Sequence, residues 1–253
     1  MADSSSRPMI EIIDLHKSFG EHPVLTGINL SVPEGSTCVI LGGSGSGKTV
    51  LMKHMIGLLK PDKGQVIIDG EDIVPLGSDE LERVRRKFGM VFQAAALFDS
   101  MTVYDNVAFP LREHRKLSED EVRKLVRSKL DLMGLPRSAE VKFPADLSGG
   151  MRKRVGLARA IVMDPKIVLY DEPTTGLDPI TTDYVDEMIL AAKRELRVTS
   201  VVISHDIASA FNVADQIAFL HKGVIVENGP PEQLRASQHP AVKVFLQTWF
   251  GKN

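Results

Sequence analysis

The sequence predicts an α/β fold with a mixed sheet at its core, a small antiparallel β lobe and a helical subdomain. A glycine-rich loop of the form G-x-x-x-x-G-K-[ST] lies between an apolar strand and a helical pattern. Short strands with glycine and proline turns surround this loop, which indicates the β lobe. A long helical stretch then separates two apolar strands, which indicates an inserted helical region.

Composition places the chain among globular proteins and excludes several functions. It has 253 residues, 43% of them hydrophobic, with 31 basic and 33 acidic residues, so its charge gives no reason to expect a nucleic-acid partner. The single cysteine, Cys38, rules out a disulfide within the chain and fits a reducing compartment. No apolar run is long enough to span a membrane, and the polar first eight residues lack the core of a signal peptide. We therefore expect another subunit to provide any membrane part.

The β lobe is predicted from strands that flank the loop. They cover residues 9–15, 22–32 and 65–69, and turns at glycine and proline separate them. Phe19 lies between the first two strands, where an exposed aromatic ring could stack on a purine. An ordinary packing role is more common for phenylalanine, and the residues alone leave both interpretations open.

The glycine-rich loop predicts a phosphate site. Glycines allow successive backbone N–H groups to point inward, and the helix that follows adds its positive end, so a polyphosphate is the expected ligand. Lys48 would reach the β- and γ-phosphates of ATP or GTP, and the Thr49 hydroxyl would bind Mg²⁺. A flexible turn is the alternative, but it would not require the flanking strand and helix. The nucleotide-binding residues predicted here are Gly42, Gly43, Ser44, Gly45, Ser46, Gly47, Lys48 and Thr49.

Four polar side chains follow apolar strands, at the ends where ligands bind in open α/β sheets. Asp171 is the predicted support of Mg²⁺, and Glu172 is the predicted base that polarises the attacking water. His205 would donate a hydrogen bond to a γ-phosphate, and Gln93 would contact Mg²⁺ or the water. The alternatives are a solvated edge for the two acids, a surface histidine and polar capping by the glutamine.

The region from residue 94 to residue 147 has a helical pattern. Ser118 and Glu121 match a capping box, an apolar face follows, and Gly134 is predicted to close that helix.

A second anion site is predicted where the next helix begins. Ser148, Gly149 and Gly150 precede the helical pattern, and a helix start with small residues can bind an anion. A plain helix cap is the alternative. Asp178 is the predicted N-cap of the following helix, with Pro179 at its first position.

The last part of the chain predicts strands at residues 216–220 and 224–227, a helix opened by a proline pair, and an amphipathic helix at the end. We expect Trp249 and Phe250 to pack on this chain or on a partner subunit, because an exposed apolar helix end is otherwise a liability.

Taken in this order, the phosphate loop, Gln93, the Leu-Ser-Gly-Gly run, the Asp-Glu pair and His205 resemble the nucleotide-binding subunit of ABC transporters over nearly the whole chain. The resemblance implies a P-loop NTPase of the ABC type that hydrolyses ATP with Mg²⁺. It also implies a head-to-tail dimer with a second copy of the chain. Two ATP molecules would lie between the phosphate loop of one subunit and the Ser148 to Gly150 loop of the other.

The same resemblance assigns further roles and shows departures. It implies that Phe19 stacks on adenine, although tyrosine is more usual there, and that Asp178 belongs to the nucleotide site. Met151 stands where a glutamine is usual, and Gly176 where an alanine is common. The resemblance also implies a single domain. Its parts would be a β lobe plus RecA-like core (1–93 and 165–238), a helical subdomain (94–164) and a C-terminal amphipathic tail (239–253).

Residues 106–114, 147–151 and 178–181 look like the ATPase of Mla/Mce-type phospholipid transporters. This resemblance implies a peripheral subunit on the cytoplasmic side of the inner membrane that contacts the membrane only through a permease. An Mce-domain lipid-binding protein and a small STAS-type accessory subunit would complete the system, and residues 94–106 would receive a coupling helix of the permease.

Two alternatives share the predicted catalytic residues. The chain could serve an amino-acid, ion or drug permease, which only the partner would reveal. It could instead be a mechanical or regulatory ABC ATPase in cell-wall remodelling or on nucleic acid. The balanced charge and the absence of a long coiled-coil insertion or a second ATPase domain argue against the nucleic-acid version.

Overall fold

The computed structural model describes the backbone of residues 7–250 and the side chains of residues 7–247. The strands are β1 (Pro8–Phe19), β2 (His22–Pro33), β3 (Thr37–Leu41), β4 (Lys63–Ile68), β5 (Glu71–Asp72), β6 (Phe88–Val91), β7 (Ile167–Asp171), β8 (Thr199–Ser204), β9 (Gln216–His221) and β10 (Val224–Gly229). The α-helices are α1 (Lys48–Met55), α2 (Ser78–Arg85), α3 (Val103–His114), α4 (Glu119–Leu132), α5 (Gly149–Ile161), α6 (Pro179–Leu196), α7 (Ile207–Val213), α8 (Pro231–Ala236) and α9 (Pro240–Phe250).

A six-stranded sheet aligns the strand ends that carry the predicted site. Its order is β10-β9-β3-β8-β7-β6, and all neighbours are parallel except β10, which pairs antiparallel with β9 at one edge. Leu41 pairs with Ser204, and Asp171 pairs with Ile203, so β3, β8 and β7 end at nearly the same level. The segments that follow these strands therefore meet along one edge of the sheet.

Both faces of this sheet are buried, which explains its continuous apolar strands. Alternate residues of β3 enter different cores: Val39 and Leu41 pack with the helical region, α6 and α7, whereas Cys38 and Ile40 pack with α1 and the smaller sheet. The phosphate loop joins β3 to α1, so packing on both sides fixes its two ends.

The smaller sheet is antiparallel, with the order β2-β1-β4-β5. The predicted first strand was too short, because β1 continues through Phe19. Its last residues have no apolar alternation, but Lys17 pairs with Leu25 and Phe19 pairs with His22 on β2. Backbone pairing with a neighbouring strand extends β1, and a sequence pattern does not report that pairing.

The helical region contains the predicted capping box. The Ser118 hydroxyl accepts a hydrogen bond from the Glu121 N–H at 3.4 Å, and the Glu121 carboxylate accepts one from the Ser118 N–H at 2.8 Å. A helical pattern across all of residues 94–147 was wrong at both ends, because α3 begins only at Val103 and short 3₁₀ turns precede α5. The buried Asn106 side chain accepts a hydrogen bond from the N–H of Phe98 at 2.8 Å and donates to its carbonyl at 3.1 Å. These bonds pair the backbone of Phe98, in the loop before α3, with a side chain of that helix.

The C-terminal helix α9 packs on the core through Val242 and Leu246, and the Phe245 ring contacts Phe219 edge-on at 5.0 Å. The prediction for Trp249 and Phe250 lies outside the side chains that the structure describes. None of the helices in the described part of the chain is long and apolar enough to cross a membrane.

Candidate functional site

A cleft of about 530 Å³ opens at the carboxyl edge of the parallel sheet, and we call it the first cleft. Its lining includes Gln93, Glu172 and His205 together with the loop residues from Ser44 to Thr49. Three of the four side chains predicted at strand ends therefore share one cavity with the phosphate loop.

The loop requires glycine at specific points. Gly47 is the N-cap of α1 with a φ of 107°, and a Cβ there would lie 2.8 Å from the Leu25 side chain. At Gly42, a Cβ would lie 2.3 Å from the carbonyl oxygen of Leu220. Only glycine fits this close approach.

The same loop offers unsatisfied donors to an anion. No side chain caps α1, and the first N–H groups of a helix have no partner within the helix. The Ser46 hydroxyl is buried and has no hydrogen-bond partner among the described residues. A polyphosphate fits a site with these open donors and a helix N-terminus.

Lys48 is buried to 8% exposure beside the loop, and its Nζ donates hydrogen bonds to the carbonyls of Gly42 at 2.9 Å and Gly43 at 3.1 Å. Its Nζ lies 3.9 Å from an oxygen of Glu172. Burial lowers the pKa of Lys48, and the charges of Glu172 and Asp171 oppose that shift. A negative ligand in the first cleft would stabilise the charged ammonium further.

Glu172 enters the first cleft because the backbone turns sharply after β7. Its φ of 50° lies in the left-handed region, a conformation that costs a non-glycine residue roughly 1 kcal/mol or more. Its carboxylate contacts His205 Nδ1 at 2.6 Å and accepts a hydrogen bond from the Thr175 hydroxyl at 3.0 Å. The strained turn thus gives the carboxylate two fixed partners.

Asp171 is the last residue of β7, and it does not line the first cleft. Burial raises the pKa of Asp171, and the neighbouring charge of Glu172 raises it further. A cation nearby would favour the ionised form of this carboxyl group. Within the described residues, no three His, Cys, Asp or Glu side chains form a metal-binding group. Mg²⁺, which commonly takes one or two carboxylates and completes its shell with phosphate oxygens and water, still fits Asp171 with Thr49 and Gln93.

The structure does not bring Phe19 into the lining of the first cleft. The residue stands at the end of β1, its side chain is 47% exposed, and Lys17 Nζ lies 5.6 Å from the ring centroid. The exposure disfavours a packing role for this ring, and stacking on a base stays a prediction.

The second anion site forms a separate cleft of about 380 Å³, which we call the second cleft. It is lined by Ser148, Gly149, Gly150 and Asp178, with Arg154 beside them. The structure therefore groups these predicted residues with one another, but not with the phosphate loop.

Both helices that begin at the second cleft carry side-chain caps. The Ser148 hydroxyl accepts a hydrogen bond from the N–H of Met151 at 3.3 Å, and Asp178 accepts one from the N–H of Thr181 at 3.0 Å. The capping predicted for Asp178 is therefore present, and so is the capping considered as an alternative at Ser148.

Sequence reasoning missed Thr175, whose hydroxyl holds the Glu172 carboxylate, and Asp186, a buried acid on α6. The signal for Thr175 was its place three residues after the predicted base. For Asp186 the sequence held no signal, because an acid within an amphipathic helix usually faces solvent.

Sequence comparison finds relatives over nearly the whole chain. A family model described as ABC transporter matches residues 25–175. The probable ribonucleotide transport ATP-binding protein mkl of Mycobacterium tuberculosis H37Rv is 47% identical over 94% of this chain, which spans 66% of that protein's length. The intermembrane phospholipid transport system ATP-binding protein MlaF of Haemophilus influenzae is 41% identical over 94% of this chain and 90% of its own length.

A solved structure with a similar fold is a dimer. It is described as a post-hydrolysis state of the ATP-binding cassette MJ0796 bound to ADP and Pi. The TM-score is 0.79 at 33% identity, and the match covers 88% of this chain and 99% of that one.

Proposed function

Because this chain belongs to the ABC transporter family, we propose that it is the ATP-hydrolysing subunit of a transporter that moves phospholipid at the inner membrane of a Gram-negative cell envelope. For the chemistry, the observation that carries the proposal is the single cleft shared by the phosphate loop, Glu172 and His205. For the substrate, it is the similarity to MlaF along 90% of that protein's length.

The loop residues would bind the phosphates of ATP. The uncapped start of α1, the Ser46 hydroxyl and the Lys48 ammonium are the donors that support this role. Thr49, Gln93 and Asp171 would hold Mg²⁺, which supplies charge neutralisation for phosphoryl transfer when it is bound. Phe19 would stack on the adenine, since its ring is exposed at the end of β1.

Glu172 would accept a proton from the attacking water. Its carboxylate is fixed by Thr175 at 3.0 Å and by His205 at 2.6 Å, so it needs little reorganisation. His205 would orient that carboxylate and donate a hydrogen bond to the terminal phosphate. The Lys48 ammonium lies 3.9 Å from the Glu172 carboxylate, so its positive charge would allow this carboxylate to stand close to the negative phosphates.

A second copy of the chain would complete each site. Ser148, Gly149, Gly150 and Asp178 line the second cleft, apart from the phosphate loop, and in a head-to-tail dimer they would contact the ATP bound by the partner. The dimeric cassette with 33% identity supports this arrangement. Hydrolysis would then depend on closure of the dimer.

The other partners are an integral permease, an Mce-domain lipid-binding protein and a small STAS-type accessory subunit. Residues 94–106 would receive the coupling helix of the permease. The Phe98 ring in this segment is 42% exposed, and the Phe92 ring just before it is 39% exposed, so both leave apolar surface there. The chain itself would lie on the cytoplasmic face and contact the membrane only through the permease.

A second candidate substrate is a ribonucleotide. The relative named for ribonucleotide transport has the higher identity, 47%, although this chain spans only 66% of its length. Both candidates use the same ATPase chemistry, so only the partner proteins and the bound cargo separate them.

The deciding experiment is to isolate the tagged E172Q chain from native membranes with ATP, and to identify the bound proteins and lipids by mass spectrometry. The same preparation without ATP is the control for dimer-dependent capture. We expect a permease, an Mce-domain protein and enriched phospholipid. A nucleotide-carrying permease complex would favour the second candidate, and a wall-hydrolase regulator without lipid would contradict transport of phospholipid.

A further inference from the structure

A buried lysine of the helical region contacts the segment that carries Glu172. Lys153 on α5 is 8% exposed, and its Nζ donates a hydrogen bond to the carbonyl oxygen of Pro173 at 2.6 Å. Pro173 follows Glu172 directly in the chain. The only side-chain bond to this carbonyl among the described residues therefore comes from another part of the fold.

The surroundings of Lys153 are unusual for a structural lysine. It forms no ion pair with any residue that the structure describes, and burial lowers its pKa. A buried ammonium without a carboxylate partner gains little stability from its position. Lys129 on α4 is equally buried, at 7% exposure, but it has a carboxylate partner, because its Nζ pairs with Asp164 at 2.6 Å. Lys129 lines neither cleft.

The contact acts on a strained turn. Glu172 adopts a φ of 50°, and such a conformation persists only where its surroundings hold it on both sides. Before the turn, the Glu172 N–H donates to the carbonyl of Ile203 at 3.0 Å. After the turn, Lys153 holds the carbonyl of Pro173. Loss of the second bond would let the peptide after Glu172 rotate and carry the carboxylate away from His205.

We propose that Lys153 is a positioning residue for Glu172, which it keeps in the first cleft through the carbonyl of Pro173. The inference rests on the proposed function, because it concerns the base of that reaction. Lys153 also links the two clefts. The helix α5 begins at Gly149 in the second cleft and carries Lys153 four residues later. The helix that borders the second cleft is thus bonded to the catalytic segment of the first.

The test compares three variants of the chain, purified with the membrane partners that it retains. Lys153→Met keeps most of the side-chain length but removes the donor, Lys153→Arg keeps a charged donor, and Lys129→Met is the matched loss of a buried lysine. We measure kcat and KM for ATP, the affinity for a fluorescent ATP analogue, and the melting temperature.

We expect Lys153→Met to lose about tenfold or more in kcat, since a small misplacement of a catalytic group has effects of this size. KM and analogue affinity should stay within about twofold, because the phosphate loop is unchanged. Lys153→Arg should recover most of the lost kcat. Lys129→Met should lower the melting temperature and leave kcat unchanged.

Full kcat in Lys153→Met would overturn the proposal. So would a parallel loss of affinity, kcat and melting temperature without recovery in Lys153→Arg, because that result describes a structural lysine. If Lys153→Met does not fold, Lys153→Gln replaces it, since the shorter amide does not reach Pro173, and normal kcat in Lys153→Gln overturns the proposal equally. A wild-type complex that binds ATP without hydrolysing it contradicts the proposed function itself, which distinguishes the two failures.

Discussion

Both clefts are built on a glycine-containing segment that leads into a helix. They differ in whether a side chain caps the first N–H groups of that helix. In the first cleft, the N-cap of α1 is Gly47, which offers no side-chain cap, so the first N–H groups of the helix are open. In the second cleft, Ser148 caps α5 and Asp178 caps α6. The first cleft can therefore bind phosphate with its own donors, whereas the second has already satisfied part of its donors.

The two clefts also differ in their charged groups. The first cleft combines Lys48 with Glu172, and Asp171 precedes Glu172 at the end of β7 without lining the cleft; together they suit both a phosphate and its metal ion. The second cleft holds Arg154 and the capping acid Asp178 without a comparable cluster. The comparison supports the proposal that the first cleft performs the chemistry and that the second cleft completes the ATP site of a second copy of the chain.

The largest effect that tests this comparison is loss of the base in the first cleft. Glu172→Gln keeps the shape of the side chain and its contact with Thr175, but it removes the proton acceptor. We expect kcat to fall by about 10²–10⁴-fold, the usual contribution of general base catalysis, while ATP affinity stays within a few-fold. Steady-state hydrolysis and nucleotide titration measure the two quantities.

The matched control is Glu187→Gln. Glu187 is an exposed acid on α6, 3.9 Å from Arg194, and it lines neither cleft. This variant should hydrolyse ATP at the wild-type rate. Full hydrolysis by Glu172→Gln would remove Glu172 from the role of base and leave His205 to be tested in its place.

A smaller effect is expected when the second cleft is made negative. Gly149→Asp places a carboxylate where the phosphates of the partner's ATP would lie, and a Cβ at Gly149 meets only the Arg152 side chain, at 4.0 Å. The variant should therefore fold. We expect kcat to fall about tenfold or more through like-charge repulsion, with unchanged ATP binding by the isolated chain. Analytical ultracentrifugation with ATP would show weaker dimerisation.

Gly149→Ala is the control for bulk, since the site has room for a methyl group. It should retain most of the activity. If Gly149→Asp weakened ATP binding by the isolated chain, the separation of the two clefts would be wrong, because the charge would then act on the same ligand site.

Sequence reasoning could anticipate most of the residues that meet at the first cleft, because their grouping is local or follows from topology. The phosphate loop is contiguous in the chain, and parallel strands bring Gln93, Asp171 and His205 to one edge once their order is known. Pattern analysis failed where long-range contacts decide the outcome. The end of β1 depends on pairing with β2, and the loop before α3 depends on hydrogen bonds between Asn106 and the backbone of Phe98.

Contacts between helices were also beyond the sequence pattern. Asp186 on α6 is 2% exposed, and it accepts hydrogen bonds from Ser209 at 2.5 Å and Asn212 at 3.1 Å on α7. The helix α6 begins at the second cleft, and α7 begins two residues after His205. This acid therefore connects elements of both clefts, although its sequence context resembles an ordinary helix surface.

The smallest expected effect concerns the hydrogen bonds by which Asp186 connects α6 to α7. Burial raises the pKa of Asp186 above its ordinary value of 3.8. The bonds from Ser209 and Asn212 oppose this shift, and the nearby acids Asp206 and Asp183 add to it. A raised pKa means that the folded state binds the proton more tightly than the unfolded chain. The resulting stabilisation is complete below about pH 3.8 and is lost as the pH rises through the folded pKa. Above the folded pKa, the ionised carboxylate therefore destabilises the fold.

Asp186→Asn removes that charge and keeps an oxygen for Ser209, while Asn212 can turn its amide to match. We expect the melting temperature at pH 7 to rise by about 2–4 °C, which corresponds to roughly 1 kcal/mol in a chain of this length, with kcat unchanged. The gain should shrink as the pH falls through the folded pKa of Asp186, because the wild-type acid then becomes protonated in the fold. Asp186→Ala, which leaves both donors unpaired, should instead lower the melting temperature. A pH-independent loss of stability in Asp186→Asn would show that the ionised carboxylate itself holds α6 to α7, and the two clefts would then be joined by a charge rather than by neutral hydrogen bonds.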